Sequence, residues 1–356
     1  MKQKFILIIL AGLMMFPAFA QHPSQDKNWE VIFSDDFGSF NTNLWQKRHN
    51  EVSGSYDYYD PGKRNECPHV YIQDNVYIEN GKLVLRVKEQ TYPCPKGQGF
   101  LNCQYGGTHD YTSGSVWSKK TYKYGYFEVY AKLPASSGYW PAFWLWNAKG
   151  SPDCWYNEID VIETYGNEPN IVESNSWWKF ECPLDPLISL GVIKHTCNYS
   201  TGYHWYGVEW NADKIIWYVD RQKVREIVND KEGIGIQNPM FIILNIALAP
   251  IWMVDNLITP NTIFPNYMYI DTANAYRLKC DKNTVVTQIP NFNTYNYAVK
   301  KSISLSSTTT IPANSNISLR ATDFIELQPG FSVDTGRELY LDVNPCDNTA
   351  RVKKQD

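Results

Sequence analysis

Three acids stand close enough to share chemistry: Glu158, Asp160 and Glu163, within Trp155-Tyr156-Asn157-Glu158-Ile159-Asp160-Val161-Ile162-Glu163. Ile159, Val161 and Ile162 mark the stretch as a β-strand. Strand side chains alternate faces with a period of two, so Glu158 and Asp160 share a face. Glu163 points the other way unless one extra residue, a β-bulge, restores it. Val161-Ile162 breaks the alternation with two consecutive apolar residues, and a bulge is expected there. Three like charges on one face are unfavourable. A calcium loop would be Gly- and Asp-rich rather than Ile- and Val-rich. Crowded carboxyls do suit glycosidic-bond cleavage with retention, which uses two of them ~5–5.5 Å apart, one ionised and one protonated. Repulsion keeps the proton on one of them near neutral pH. Four strand steps span ~13 Å between Cα atoms, so the glutamates must lean toward each other across Asp160.

The elements that would hold this strand are also β. Alternating runs recur at Val70-Tyr71-Ile72, Lys82 to Val87, Gly125 to Leu133, Trp205 to Trp210, Ile215 to Val219 and Met240 to Ile246. Turn residues such as Glu79-Asn80-Gly81 and Ser136-Ser137-Gly138 separate them. Many short strands with polar turns indicate an all-β sandwich or jelly roll, and no long 3.6-residue periodicity appears. The catalytic body is read as residues 29–280. Residues 281–302 are Asn-, Thr- and Tyr-rich and read as a linker. From 303 to 346 a second pattern of very short strands reads as a small C-terminal β module. It carries no tryptophan between Ile303 and Val343, so it is expected to pack on itself rather than bind polysaccharide.

Composition excludes some functions. The 356 residues carry a net charge of −4, and no basic cluster is longer than Lys353-Lys354, which argues against nucleic acid. Aromatic residues reach 15%, with 13 Trp and 25 Tyr, which suits stacking on sugar rings as well as a β core. Lys2 and Lys4, the apolar run Phe5 to Phe16 and Ala18-Phe19-Ala20 form a secretory signal pattern over residues 1–20, too short to span a bilayer. A secreted, periplasmic or surface location follows as an expectation, with no membrane insertion. Eight cysteines and no C-x-x-C pair favour disulfides over a metal site, with Cys94–Cys103 and Cys182–Cys197 as the expected loop clasps. No cofactor is required, a structural Ca2+ is compatible but not indicated, and a monomer is expected.

Glu158-Ile159-Asp160-Val161-Ile162-Glu163 resembles the E-x-D-x-x-E signature of glycoside hydrolase family 16, in the bulge-containing branch of laminarinases, agarases and κ-carrageenases. Asp35-Asp36-Phe37 with Trp45, Tyr124 to Glu128, Gly138 to Leu145, His204 to Trp210 and Trp217 to Asp220 resemble the family's flanking strands. The resemblance covers about Val31 to Leu278 and implies a jelly-roll sandwich with a sugar cleft. It implies that Glu158 is the nucleophile, Glu163 the acid/base, and Asp160 a partner that sets the protonation of Glu158. It also implies cleft roles for Trp140 and Trp144, and for His204 beside the acid/base. The expected activity is endo-hydrolysis of a β-1,3- or β-1,3-1,4-glucan. An agar- or carrageenan-type galactan, for which Thr164-Tyr165-Gly166 speaks slightly, is the alternative, as are transglycosylation and lectin-like binding. Tyr126 departs from the pattern, standing where many members have arginine. Ile325 to Val333 resembles the I-x-L-x-P-G-F-x-V core of short C-terminal modules on exported Bacteroidetes-type proteins.

Overall fold

The computed structural model describes residues 23, 29–48, 68–94, 107–147, 156–179, 188–211, 214–228, 236, 238–250, 253–279, 283–286, 300–309, 316–335 and 338–343. Among them the strands are, in order, β1 (Trp29–Asp35), β2 (Trp45–Lys47), β3 (His69–Tyr71), β4 (Val76–Glu79), β5 (Lys82–Cys94), β6 (Gly107–Ser113), β7 (Ser115–Ser118), β8 (Gly125–Lys132), β9 (Tyr139–Trp146), β10 (Tyr156–Glu163), β11 (Ile171–Lys179), β12 (Ile188–Ser189), β13 (Ile193–Thr196), β14 (His204–Trp210), β15 (Lys214–Val219), β16 (Gln222–Val228), β17 (Phe241–Leu248), β18 (Asn266–Leu278), β19 (Asn283–Val286), β20 (Lys300–Leu305), β21 (Asn316–Leu327) and β22 (Glu338–Val343). Among the described residues helix is confined to two three-residue 3-10 turns, and neither of them is long and apolar enough to cross a membrane.

Strands β1 to β18 build two sheets. One runs β16-β15-β14-β8-β18-β5-β6-β3, with β1 and β4 attached; the other runs β12-β11-β10-β9-β17-β7-β2, with β13 on β11. Alternation within each strand decides the packing. Phe127 and Val129 of β8 and Tyr206 and Val208 of β14 face Phe143 and Leu145 of β9 and Leu244 and Ile246 of β17 in one shared core. This is the expected all-β sandwich. Three fully buried tryptophans tie the layers together, and each indole N–H finds an acceptor. Trp45 donates to Asp35 Oδ2 at 2.9 Å, Trp210 to Ile236 O at 3.1 Å and Trp217 to Asp160 O at 2.9 Å. A buried donor left unpaired costs about 1–3 kcal/mol, so these bonds select rotamer and register as well as filling space.

The last four strands form a separate sheet, β19-β20-β21-β22, parallel throughout. Its small core is Ile303, Leu305, Leu319 and Ala321. Strand β19 lies within residues 281–302, so the segment read as a linker contributes the first strand of the module's sheet.

The cysteine expectations are partly overturned. Cys197 is a free thiol in the sandwich core, 4.0 Å from the Tyr206 hydroxyl, so the Cys182–Cys197 clasp does not form. Its sequence neighbourhood looks like a loop, yet its side chain points inward, where burial pushes the thiol up to about 11. Cys182 and Cys103 lie outside the described residues, as does the side chain of Cys94.

Candidate active site

Strand β10 alternates as its sequence requires up to Asp160. Ile159 enters the core, while Glu158 and Asp160 face outward. The pairing then slips. Asp160 is opposite Trp144 of β9, but Ile162 is opposite the very next residue, Phe143, so Val161 is the extra residue of a bulge. The β11 side shows the same slip, from Asp160↔Asn175 to Glu163↔Glu173. Val161 and Ile162 both enter the core, and Glu163 returns to the face of Glu158 and Asp160. A bulge frees backbone groups from the ladder, and here the Asp160 carbonyl takes the indole N–H of Trp217 from the opposite sheet. The chain leaving β10 turns at Gly166. A Cβ there would lie 1.8 Å from the Ser136 carbonyl oxygen. Gly166 therefore serves a close backbone approach.

Neighbouring strands supply the partners. Tyr156, two residues before Glu158 on the same face, donates its hydroxyl to Glu158 Oε2. Asp160 hydrogen-bonds Glu158, and the side chain of Trp177 from β11 hydrogen-bonds Asp160. Trp140 Nε1 donates to Glu163 Oε1 at 2.8 Å. Trp144 stands opposite Asp160 and donates to Asn245 Oδ1 at 2.7 Å, while Asn245 Nδ2 donates to the Tyr71 hydroxyl at 3.0 Å. Trp140 and Trp144 thus flank the acids, each half-buried.

Charge is tuned mainly by burial. Asp160 is 3% exposed. Desolvation, then the charge of Glu158 and the bond to it, push its carboxyl well above the usual range, against Trp177 and Arg225. Glu163 is also pushed well up, by burial first and by Asp160 next, with the Trp140 N–H pulling it down. Arg225 of β16 lies beneath the site, with its guanidinium on the carbonyls of Ser174 at 2.7 Å and Leu190 at 2.9 Å. One face of one strand therefore carries a carboxyl that burial pushes toward its protonated form, Glu163, and a second carboxyl, Glu158, held by Tyr156 and Asp160. These are the two functional groups a retaining glycosidase needs. Among the described residues, no group of His, Cys, Asp and Glu side chains is placed to hold a metal ion.

His204 is not brought to this face. It lies on β14 of the other sheet, with Nδ1 2.8 Å from Asp220 Oδ2 and Nε2 3.2 Å from Asn198 O. It braces a turn, and the expectation that it sits beside the acid/base is corrected. Four contributors were not singled out in the sequence: Tyr156, Trp177, Glu173 and Asn245. Tyr156 was findable from its i−2 spacing to Glu158. Glu173, Asn175 and Trp177 alternate with Val172, Ser174 and Ser176, a period-two signal in β11.

The family model for glycosyl hydrolases family 16 matches residues 64–273. The chain belongs to this family. Its relatives include an endo-1,3-1,4-beta-glycanase, EglC, of Rhizobium meliloti, 30% identical over 49% of the chain and 35% of that protein. Another is a beta-glucanase of Rhodothermus marinus, 25% identical over 77% of the chain and 93% of that protein. Among solved structures, the family 16 fold matches the catalytic domain of a Thermotoga petrophila endo-1,3-beta-glucanase (laminarinase). The TM-score is 0.55 at 27% identity, covering 70% of this chain and 98% of that one. A structure described with endo-acting O-glycanases of the human gut microbiota that initiate mucin breakdown matches with a TM-score of 0.57 at 25% identity, covering 71% and 92%. The strand just described, Glu158 to Glu163, lies within the matched residues of this family 16 chain.

Proposed function

We propose that this protein is a secreted, retaining endo-β-glycosidase that cleaves an uncharged β-1,3- or β-1,3-1,4-glucan. The observation that carries the reading is the bulge at Val161, which sets Glu158, Asp160 and Glu163 on one face. Glu158 attacks the anomeric carbon while Glu163 passes its proton to the glycosidic oxygen, and the bond to the leaving sugar breaks. Asp160 supports Glu158 by hydrogen bonding. Glu163, now a carboxylate, removes a proton from water, which attacks the same carbon, releases Glu158 and restores the starting state. Trp140 and Trp144 border the sugar. The described floor of the site is indole, amide and carboxyl. Among the described residues, two cations beside it are engaged already: Lys194 pairs with Glu168 and Glu173, and the Arg225 guanidinium donates to the carbonyls of Ser174 and Leu190. That surface suits a neutral sugar better than a sulfated one. The names of the relatives support a glucan, and the C-terminal module reads as a non-binding appendage.

A second reading, an endo-acting O-glycanase on mucin glycans, draws on the TM-score of 0.57. Reducing-sugar release from laminarin, mixed-linkage glucan, agarose, carrageenan and mucin separates the two. Proton NMR of the first products tests the mechanism: the new reducing end should be β, and an α product would sink it.

A further inference from the structure

The row of side chains that crosses the site at Glu163 continues over two more strands. Glu163 of β10 is opposite Glu173 of β11, and Glu173 is opposite Lys194 of β13. Directly opposed residues have Cβ atoms about 4.5–5.5 Å apart. Two carboxyls and an ammonium therefore stand in line, with the ammonium on the far side of Glu173. Lys194 Nζ is 3.3 Å from Glu173 Oε1 and 2.7 Å from Glu168 Oε2. Glu173 is buried, whereas Lys194 is 51% exposed at its side chain. On the other side of Glu163, Trp140 donates to Oε1, so a proton on Glu163 sits on Oε2.

Two neighbouring buried carboxyls resist ionising together, so one proton is shared between them. An ammonium at one end of the pair decides where it stays. We propose that Glu173 and Lys194 are positioning residues for the acid of this site: Lys194 holds Glu173 as a carboxylate, and that carboxylate leaves the proton of the row on Glu163. This rests on the assignment of Glu163 as acid/base. The same arrangement serves the second half of the reaction. Once Glu163 has given up its proton, repulsion from Glu173 makes it a stronger base toward the attacking water.

Other groups face Glu163 as well. Asp160 lies on its own strand, Tyr165 on the following turn and Trp140 on β9; Glu168, on the same turn, acts on Tyr165 and Glu173, and Arg225 of β16 acts on Asp160 from beneath. Burial, Asp160 and Glu173 raise the Glu163 carboxyl, against Trp140. Burial raises Glu173 too, but there Lys194 opposes it. Glu173 is thus the neighbour of Glu163 whose charge is set by an exposed side chain.

The test is the pH profile of kcat/KM for the full chain. Glu173→Gln should move the basic limb to lower pH, because Glu163 then loses its proton more easily. Lys194→Met should move that limb to higher pH and lower the plateau several-fold, because the proton is then shared with Glu173. Lys194→Arg should restore the wild-type profile. A merely structural pair would not shift the limb in opposite directions. Limbs that stay in place, or that move the same way in both variants, overturn the proposal. Glu163→Ala on an aryl glycoside with a good leaving group separates the underlying assignment. If the basic limb persists there, Glu163 is not the acid. If it vanishes while the Glu173 and Lys194 variants leave the wild-type limb in place, the pair alone is wrong.

Discussion

The two sheets use the same residue types on their outward faces in opposite ways. On the ten-stranded sheet the carboxylate of Glu128 is closed off. Arg221 Nε and Nη2 lie 3.2 and 3.1 Å from its two oxygens, and the Tyr126 hydroxyl donates from 3.2 Å. The guanidinium comes from Arg221, in the turn between β15 and β16. The rings beside it cover one another. Arg221 lies over Trp205 at 3.8 Å, Trp205 stacks on Tyr130 at 4.8 Å, and Lys82 sits over Tyr203. On the eight-stranded sheet, Glu158 and Asp160 are held by each other and by a phenol and an indole. Trp140 and Trp144 turn their N–H groups toward Glu163 and Asn245 and remain half-exposed. Satisfying a buried carboxylate with a cation makes structure. Leaving carboxyls to press on one another costs stability and favours the protonated form, which is what acid catalysis uses.

Breaking the two regions should give opposite outcomes. Glu158→Gln should cut kcat by several orders of magnitude, roughly 10⁴-fold or more, without loss of thermal stability. Glu163→Ala should be rescued in part by azide on activated substrates. Azide rescue of Glu158→Ala with a retained product would reverse the two roles. On the other sheet, Arg221→Met leaves Glu128 without its cation. It should lose about 3–5 kcal/mol in urea unfolding while kcat/KM of the folded fraction stays near wild type. A stable variant with low activity would mean the two faces are coupled.

Smaller effects sharpen the comparison. Trp140→Phe removes a hydrogen bond that lowers the Glu163 carboxyl, so the basic limb of kcat/KM should move upward with a modest loss of rate. The Glu163 carboxyl also links stability to pH. Its folded value is raised, so its contribution is full below the unfolded value of ~4.3 and is lost as pH rises through the folded one. Glu163→Gln should therefore unfold at a higher temperature than wild type at neutral pH, with the gain shrinking toward pH ~4. A gain that grows on acidification would contradict the sign. Least of all should change on truncation after about Cys280. Activity on soluble glucan should hold, as should retention of a Glu158→Gln background on insoluble glucan. Loss of that retention would make the module a binding domain.

Much of this was legible in the chain. Alternating runs and turn residues specified an all-β sandwich, because a period of two is a local property of a strand. Glu158, Asp160 and Glu163 stood out by spacing, and the double apolar step at Val161-Ile162 located the bulge that joins them. Their motif also pointed to Trp140 and Trp144, which stand beside the acids. Partners across strands were not legible, because register between distant segments is set by packing: Glu173 becomes a neighbour of Glu163 only once β10 and β11 pair and the bulge shifts that pairing. His204 and Cys197 show the same limit from the other side. A motif placed the histidine near the acid, and residue counting paired the cysteine with Cys182. Tertiary structure put His204 on the opposite sheet against Asp220 and turned Cys197 into the core. Residue type and local period decided the chemistry available to this protein, and only the stacking of strands decided which charges meet.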